Sequence, residues 1–241
     1  MQIRDAGDPG GPPLVLVHGL GSSPRCWERN VAALGARHRV LLVDLFAAAD
    51  GQRRIRRPRT RFSLEDAATE LAEQLAERET GPATIIGHSM GGLVALHLAA
   101  HAPALVSRLV LVSVPAVPVP RSRFRQVGAV LHSSLHADAA GTAVVASAFL
   151  STGPFLLVAA TRATMRADLG DKVDQLAEVP TLLVWGEKDS IVPVEIGRRL
   201  AAAMPQSSLT VMAGLGHQPN WESPEAFHTA IADFLEAQPV V

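Results

Sequence analysis

Short runs of β-branched residues and leucine recur along this chain at intervals of roughly 25 to 45 residues, separated by segments with helical spacing. That rhythm is the mark of parallel strands joined by crossover helices, because a parallel connection must travel back along the sheet before the next strand can start. The runs are Leu14 to His18, Arg39 to Asp44, Ala83 to Gly87, Arg108 to Ser113, Thr181 to Gly186 and Ser208 to Ala213. They are continuously apolar rather than alternating, as strands covered on both faces must be. The spacing predicts helices over Pro24 to Leu34, Ser63 to Glu79, Met90 to His101, Val194 to Met204 and Pro224 to Ala237. In the second of these, Leu64, Ala67, Ala68, Leu71 and Leu75 share one face. Glu65, Glu70, Glu73 and Glu77 are left for solvent, and Ser63 with Asp66 forms a helix start. The fold class read from this pattern is α/β, a mostly parallel sheet flanked by helices.

The rhythm breaks between Val114 and Glu178. Phe124, Val127, Leu131 and Leu135 keep helical spacing there, and Ala143 to Leu150 and Phe155 to Met165 read as short helices. We read residues 115–178 as a helical cap over one end of the sheet, with residues 1–114 and 179–241 as the core domain. The alternative is a long crossover whose helices pack on the sheet face. A length of 241 residues suits one domain with such an insert, and 48% hydrophobic against 19% charged residues gives ample material for a core.

Composition also excludes function classes. A formal net charge of −1 gives no global electrostatic case for a nucleic-acid partner, although six of the nine residues from Arg53 to Arg61 are arginine. That run reads as a solvated loop, with a local anion site as the functional alternative. A single cysteine, Cys26, rules out an intramolecular disulfide framework, and there is no tyrosine to act as acid or base. No window approaches the ~20 apolar residues of a membrane span, and Met1 to Pro13 lacks the apolar core of a signal peptide. A cytoplasmic location is the default expectation. The nine histidines show no metal-ligand spacing such as H-E-x-x-H, so no metal and no cofactor is expected.

The residues that carry chemistry begin at Gly87-His88-Ser89-Met90-Gly91-Gly92, a G-x-S-x-G turn between an apolar strand and a helix. A serine at the tip of such a turn needs small neighbours two residues to either side, because the chain approaches itself closely there. It also sits at a helix N-terminus, where free N–H groups favour developing negative charge. Serine alone is a weak nucleophile and needs a base that is itself oriented by an acid. The strand Thr181 to Trp185 leads into Gly186-Glu187-Lys188-Asp189, and the next strand leads into Gly214-Leu215-Gly216-His217. Parallel strands put both loops on the edge that carries Ser89, so Ser89, Asp189 and His217 can converge despite separations of 100 and 28 residues.

These residues resemble the α/β-hydrolase fold family. The resemblance covers nearly the whole chain and is specific at His18-Gly19-Leu20-Gly21, at the G-x-S-x-G turn, at Gly186-Glu187-Lys188-Asp189 with Val192-Pro193, and at Gly214-Leu215-Gly216-His217 followed by Glu222, Ser223 and Pro224. It implies Ser89 as nucleophile, His217 as general base and then acid, Asp189 as the group orienting the imidazole, and the backbone N–H groups of Leu20 and Met90 as the oxyanion hole. The side chains of Leu20 and Met90 would then face the substrate. His18 and His88 read as structural, Asp44 as a backup acid with nothing to pair it to His217, and Cys26 as a small core residue. Only 13 residues precede the Leu14 run, enough for one strand over about Gln2 to Ala6 and not the family's usual antiparallel pair. The expected sheet therefore has about seven strands with a trimmed first edge.

A serine at the elbow disfavours the family's epoxide and halide chemistry, which uses aspartate there. Acyl transfer to water remains. The cap supplies apolar side chains, and Val192, Leu135, Phe149 and Phe155 are the candidate pocket residues, so the expected partner is a small-molecule substrate with an apolar acyl group. The first reading is carboxylic-ester hydrolysis. The alternatives are a thioesterase, a carbon–carbon bond hydrolase or a cofactor-free perhydrolase using the same residues, and a receptor-like member without turnover. Monomer and homodimer are both open.

Overall fold

Seven strands form one sheet in the order β1-β3-β2-β4-β5-β6-β7, in a computed structural model that describes residues 1–47, 61–116, 139–167 and 175–237. The strands are β1 (Gln2–Gly7), β2 (Pro13–Val17), β3 (Arg39–Asp44), β4 (Ala83–His88), β5 (Val106–Val112), β6 (Thr181–Gly186) and β7 (Ser207–Met212). Only β1 is antiparallel, pairing Gln2 with Asp44 and Gly7 with Arg39 at the edge of the sheet. The other five pairings are parallel, with Val15 beside both Leu41 and Ile85. The seven strands and the single antiparallel first strand agree with the pattern of the sequence.

The inner strands β2 to β6 read as unbroken apolar strings because alternate residues serve two cores, whereas β7, expected to be covered on both faces, is an edge strand and is largely open to solvent. Val15, Val17, Leu41, Val43, Ile85, Leu109, Leu111, Leu183 and Trp185 face one helical layer. Leu14, Leu16, Val40, Leu42, Ile86, Val110, Val112, Leu182 and Val184 face the other. The first layer contains α2 (Leu64–Glu77), α3 (Met90–His101) and, further on, Val194–Ala203; the second contains α1 (Glu28–Gly35) and the C-terminal Pro224–Glu236. Helix α2 starts as the sequence suggests, with the Asp66 N–H donating to Ser63 Oγ at 3.1 Å, a cap of the kind that typically stabilises a helix by about 1 kcal/mol. Its leucines are buried together with Ala67, Ala68 and Ala72, and of its glutamates Glu70 is half-buried against the Met1 amine at 2.6 Å.

Between β5 and β6 lie α4 (Ala139–Thr152) and α5 (Pro154–Arg166). Leu156 and Ala160 of α5 join the same apolar cluster as Leu93, Val114 and Val192. Phe124, Val127, Leu131 and Leu135, like Arg53 to Arg59, lie outside the described residues, as does the side chain of Phe149. After β6 come α6 (Val194–Ala203), the single turn α7 (Pro219–Glu222) and α8 (Pro224–Glu236). No helix among the described residues is long and apolar enough to cross a membrane.

Candidate active site

Strand β4 ends at His88 and helix α3 begins at Met90, so Ser89 must turn the chain in one residue. It does so at φ 51°, ψ −118°, a left-handed conformation that costs a non-glycine residue roughly 1–3 kcal/mol. The surroundings hold it there: the Ser89 N–H donates to Val112 O at 2.8 Å, and α3 is buried along nearly its whole length. A Cβ at Gly91 would collide with the carbonyl oxygens of Val17 and His18, so only glycine lets the start of α3 press against the end of β2. The Gly19–Leu20 loop follows at once from that contact. The Met90 N–H is the first of α3 and belongs to the group that a helix leaves without internal partners.

The other two loops meet along the same edge. His217 Nδ1 lies 2.8 Å from Asp189 Oδ2. The other oxygen, Oδ1, accepts the N–H groups of Ile191 at 2.9 Å and Val192 at 2.8 Å, and Trp185 Nε1 donates to Val192 O at 2.8 Å. Asp189 is thus set from below by its own loop and presents one oxygen to the histidine. Burial alone would raise its pKa, but the neighbouring His217 and the loop N–H donors overcome this and hold the carboxyl below its ordinary range. A carboxylate on Nδ1 makes that nitrogen the donor, which leaves Nε2 of a neutral His217 as an open acceptor.

The loops themselves are sewn together. The Glu187 N–H donates to Met212 O at 3.0 Å, the Lys188 N–H to Leu215 O at 2.8 Å, and the Gly214 N–H to Glu187 Oε2 at 2.8 Å. Gly186 is required here too, since a Cβ would strike the carbonyl oxygens of Gly216 and Leu215. His88 joins the serine turn to the histidine loop: its Nε2 donates to His217 O at 2.9 Å, and the two rings lie 4.9 Å apart. Burial, helped by the nearby His217, pushes the His88 pKa down to about 3, so this imidazole is neutral at ordinary pH and keeps its proton for that carbonyl.

Residues 14–230 match the sequence profile of the alpha/beta hydrolase family. The chain belongs to that family. A protein of Mycobacterium tuberculosis described only as uncharacterized is 30% identical over an alignment of 262 positions that covers 94% of this chain and 76% of that one. The pimeloyl-[acyl-carrier protein] methyl ester esterase of Vibrio vulnificus is 28% identical over 250 residues, 93% of this chain and 94% of its own. Among solved structures, a hydrolase from Pseudomonas aeruginosa PA01 superposes with a TM-score of 0.80 at 25% identity, covering 98% of this chain and 94% of the other.

In this alpha/beta hydrolase, then, Asp189 and His217 are in direct contact, and Ser89 sits one residue from the side chain that grips His217. His18 braces its loop: the Leu45 N–H donates to Nε2 at 3.1 Å, so the proton sits on Nδ1 and reaches Gly19 O at 2.8 Å. Asp44 is occupied by the N–H groups of Phe46 and Ala47, both at 3.0 Å. Cys26 is a buried residue whose thiol pKa burial pushes up to about 12. The Met90 side chain is fully buried, in the same apolar cluster as Leu93, Leu156 and Val192. Phe155 stands at the first turn of α5 with 65% of its surface exposed, while Leu156 beside it turns inward. Val192 is buried in the same cluster as Leu156.

The sequence marks His88 as structural without showing that it holds His217, and it presents Glu187 and Glu222 as motif residues without a role, although their carboxylates grip the same loop. The signal for both glutamates was their closeness to Asp189 and His217 in the chain. Among the described residues, no group of three or more His, Cys, Asp and Glu is arranged to hold a metal ion.

Proposed function

We propose that this protein is a serine hydrolase that cleaves a carboxylic ester of an apolar acyl group through Ser89, His217 and Asp189. The observation that carries the reading is the 2.8 Å contact of His217 Nδ1 with a buried Asp189 that has its other oxygen already satisfied. It leaves Nε2 as the one basic nitrogen of an oriented imidazole, on a loop that His88, the residue before Ser89, holds by the His217 carbonyl. The match to a methyl ester esterase over nearly the whole of both chains supports the ester bond as the target.

In this mechanism Ser89 Oγ attacks the acyl carbon while its proton passes to Nε2. The carbonyl oxygen becomes an oxyanion held by the N–H groups of Leu20 and Met90, each such donor contributing about 3 kcal/mol to transition-state stabilisation. Collapse breaks the ester C–O bond, the alkoxide takes the proton from Nε2, and the acyl group stays on Ser89. Water then attacks the acyl-enzyme, gives a proton to Nε2 and forms the second oxyanion. Its collapse releases the acid and returns the proton to Ser89 Oγ. Asp189 keeps its charge throughout and stabilises the imidazolium. Residues 115–178, including α4 and α5, act in this reading as the cap that receives the acyl group.

Two measurements test this reading. A fluorophosphonate should label the protein at Ser89, and a series of p-nitrophenyl esters should be hydrolysed with a preference for longer acyl chains over acetate. No labelling, or full turnover by Ser89→Ala, sinks the mechanism; a preference for acetate sinks the apolar pocket alone.

A further inference from the structure

We propose that Glu222 is a positioning residue, which holds the imidazole of His217 in place by gripping the backbone on both sides of it. The inference rests on the Ser89–His217–Asp189 reading and deepens it. One oxygen of the Glu222 carboxylate, Oε2, accepts the N–H of Gly216 at 2.6 Å, and the other, Oε1, accepts the N–H of Gln218 at 3.0 Å. These are the two amides that flank His217. Charge-assisted bonds of this kind are shorter and stronger than bonds between neutral groups.

The need for such a grip follows from where His217 lies. Strand β7 ends at Met212 and α7 starts at Pro219, so neither sheet nor helix fixes Gly216, His217 and Gln218. Gly216 adds the freedom of glycine directly before the histidine. Against that freedom the structure sets four ties on three residues: Glu222 on each flanking amide, His88 on the carbonyl of His217, and Asp189 on its ring.

Glu222 is suited to this because its base is rigid while its carboxylate is at the surface. Its own N–H donates to Gln218 O at 2.8 Å, so residues 218 and 222 hold each other in both directions. The two residues before it are buried, and Asn220 is pinned to the core, donating to Cys26 O at 3.1 Å and accepting from Asn30 Nδ2 at 3.0 Å. The exposed carboxylate loses little hydration, so its two bonds cost little to form. An amide cannot replace it: glutamine has one accepting atom, and its NH2 would meet an N–H that also donates.

The test compares wild type, Glu222→Gln and Glu222→Asp in kcat and KM on a p-nitrophenyl ester, in melting temperature, in the rate of fluorophosphonate labelling, and in the downfield proton resonance of His217 Nδ1–H. The expected result is a kcat lower by roughly 10- to 100-fold, the loss that a small displacement of a reacting group produces, with KM within about twofold. Labelling should slow in parallel, and the Nδ1–H resonance should broaden or move while the melting temperature changes little. Aspartate, a methylene shorter, can reach one amide and not both, so it should fall on the same side as glutamine; it stands in should the glutamine variant fail to fold. A kcat within twofold of wild type overturns the proposal, and so does a loss of kcat that follows the melting temperature with the resonance unchanged. If wild type is not labelled at all, the serine mechanism itself has failed. Labelling of both variants at the wild-type rate sinks the grip and leaves that mechanism standing.

Discussion

The loops after β4, β6 and β7 and the helical pair α4–α5 are built in opposite ways. Each loop is held by hydrogen bonds that cross from one strand end to the next, and Asp189, His88 and Trp185 are all buried there. The helical pair sends Leu156 and Ala160 into the core and leaves Leu150 and Phe155 at 87% and 65% exposure. Well-tied loops on a rigid sheet hold a reacting group to within fractions of an ångström, which chemistry needs; a helix held by one stripe of side chains can be replaced or repacked without disturbing them. In the proposed function the first region sets the reaction and the second sets the substrate.

Removing the chemistry without touching the frame is the sharpest way to break that comparison. Ser89→Ala should lower kcat by about 10^5 to 10^6, leaving the residual rate of a bound and polarised ester, with the melting temperature nearly unchanged since no packed atom but Oγ is lost. Turnover above about a hundredth of wild type would show that the loop cluster is not the reaction centre.

Asp189→Asn comes next, with an expected fall in kcat of about 10^4, because an amide at this position can donate and so favours the wrong tautomer of His217. It also has a stability consequence. The carboxyl titrates below its ordinary range in the fold, so the ionised group contributes stability at pH above its unfolded value, and this is lost as pH falls through the lower folded value. Melting curves of Asp189→Asn should therefore lie closest to wild type in strong acid, diverge as pH rises to the ordinary aspartate value of about 4, and run parallel above it. A constant gap between the two curves at all pH values would contradict the assigned ionisation.

The inner strands were legible because burial on both faces leaves little room for polar residues, and the run Arg39 to Asp44 agrees residue for residue with β3. Strand β5 begins at Val106, two residues before the apolar run suggests, because Arg108 is a charge inside a strand. Its guanidinium is satisfied from afar by Phe234 O at 3.1 Å and by the Phe234 ring, a pairing across 126 residues that local pattern cannot announce. Likewise Pro24 to Leu34 reads as one helix and is a 3-10 turn, Pro24–Trp27, followed by α1. In the candidate site, the meeting of Asp189 and His217 was legible from strand topology, since residues at the ends of parallel strands share an edge. The grips by His88 and Glu222 were not, because they bind backbone atoms, and a backbone amide has the same appearance at every position of a sequence.

His88 offers a smaller effect within the rigid region. In the unfolded chain its imidazole takes up a proton near about 6.5, and in the fold only near 3. Between those values the unfolded state binds the extra proton, so stability is full above about pH 6.5 and falls as pH drops, by at most about 1.4 kcal/mol per pH unit. His88→Gln keeps an N–H for His217 O and cannot be protonated. Its melting temperature should therefore fall less steeply than wild type between pH 6 and pH 4. Parallel curves would mean that His88 is not the buried neutral histidine described here.

The smallest effects should come from α5, and they separate its two faces. Leu156→Ala removes a buried side chain and leaves a cavity, so a loss of about 2 kcal/mol, at the low end for such a change, is expected and should lower the melting temperature by several degrees. Phe155→Ala removes an exposed side chain, and stability should stay within about 0.5 kcal/mol. Its effect, on the proposed function, belongs to the substrate: KM for a long acyl ester should rise a few-fold while KM for acetate and kcat for both stay put, since contacts made equally in ground and transition state alter binding alone. If Phe155→Ala instead lowered kcat for both esters, α5 would be part of the frame that holds the reacting groups, and the division between a fixed reaction edge and an exchangeable helical pair would be wrong.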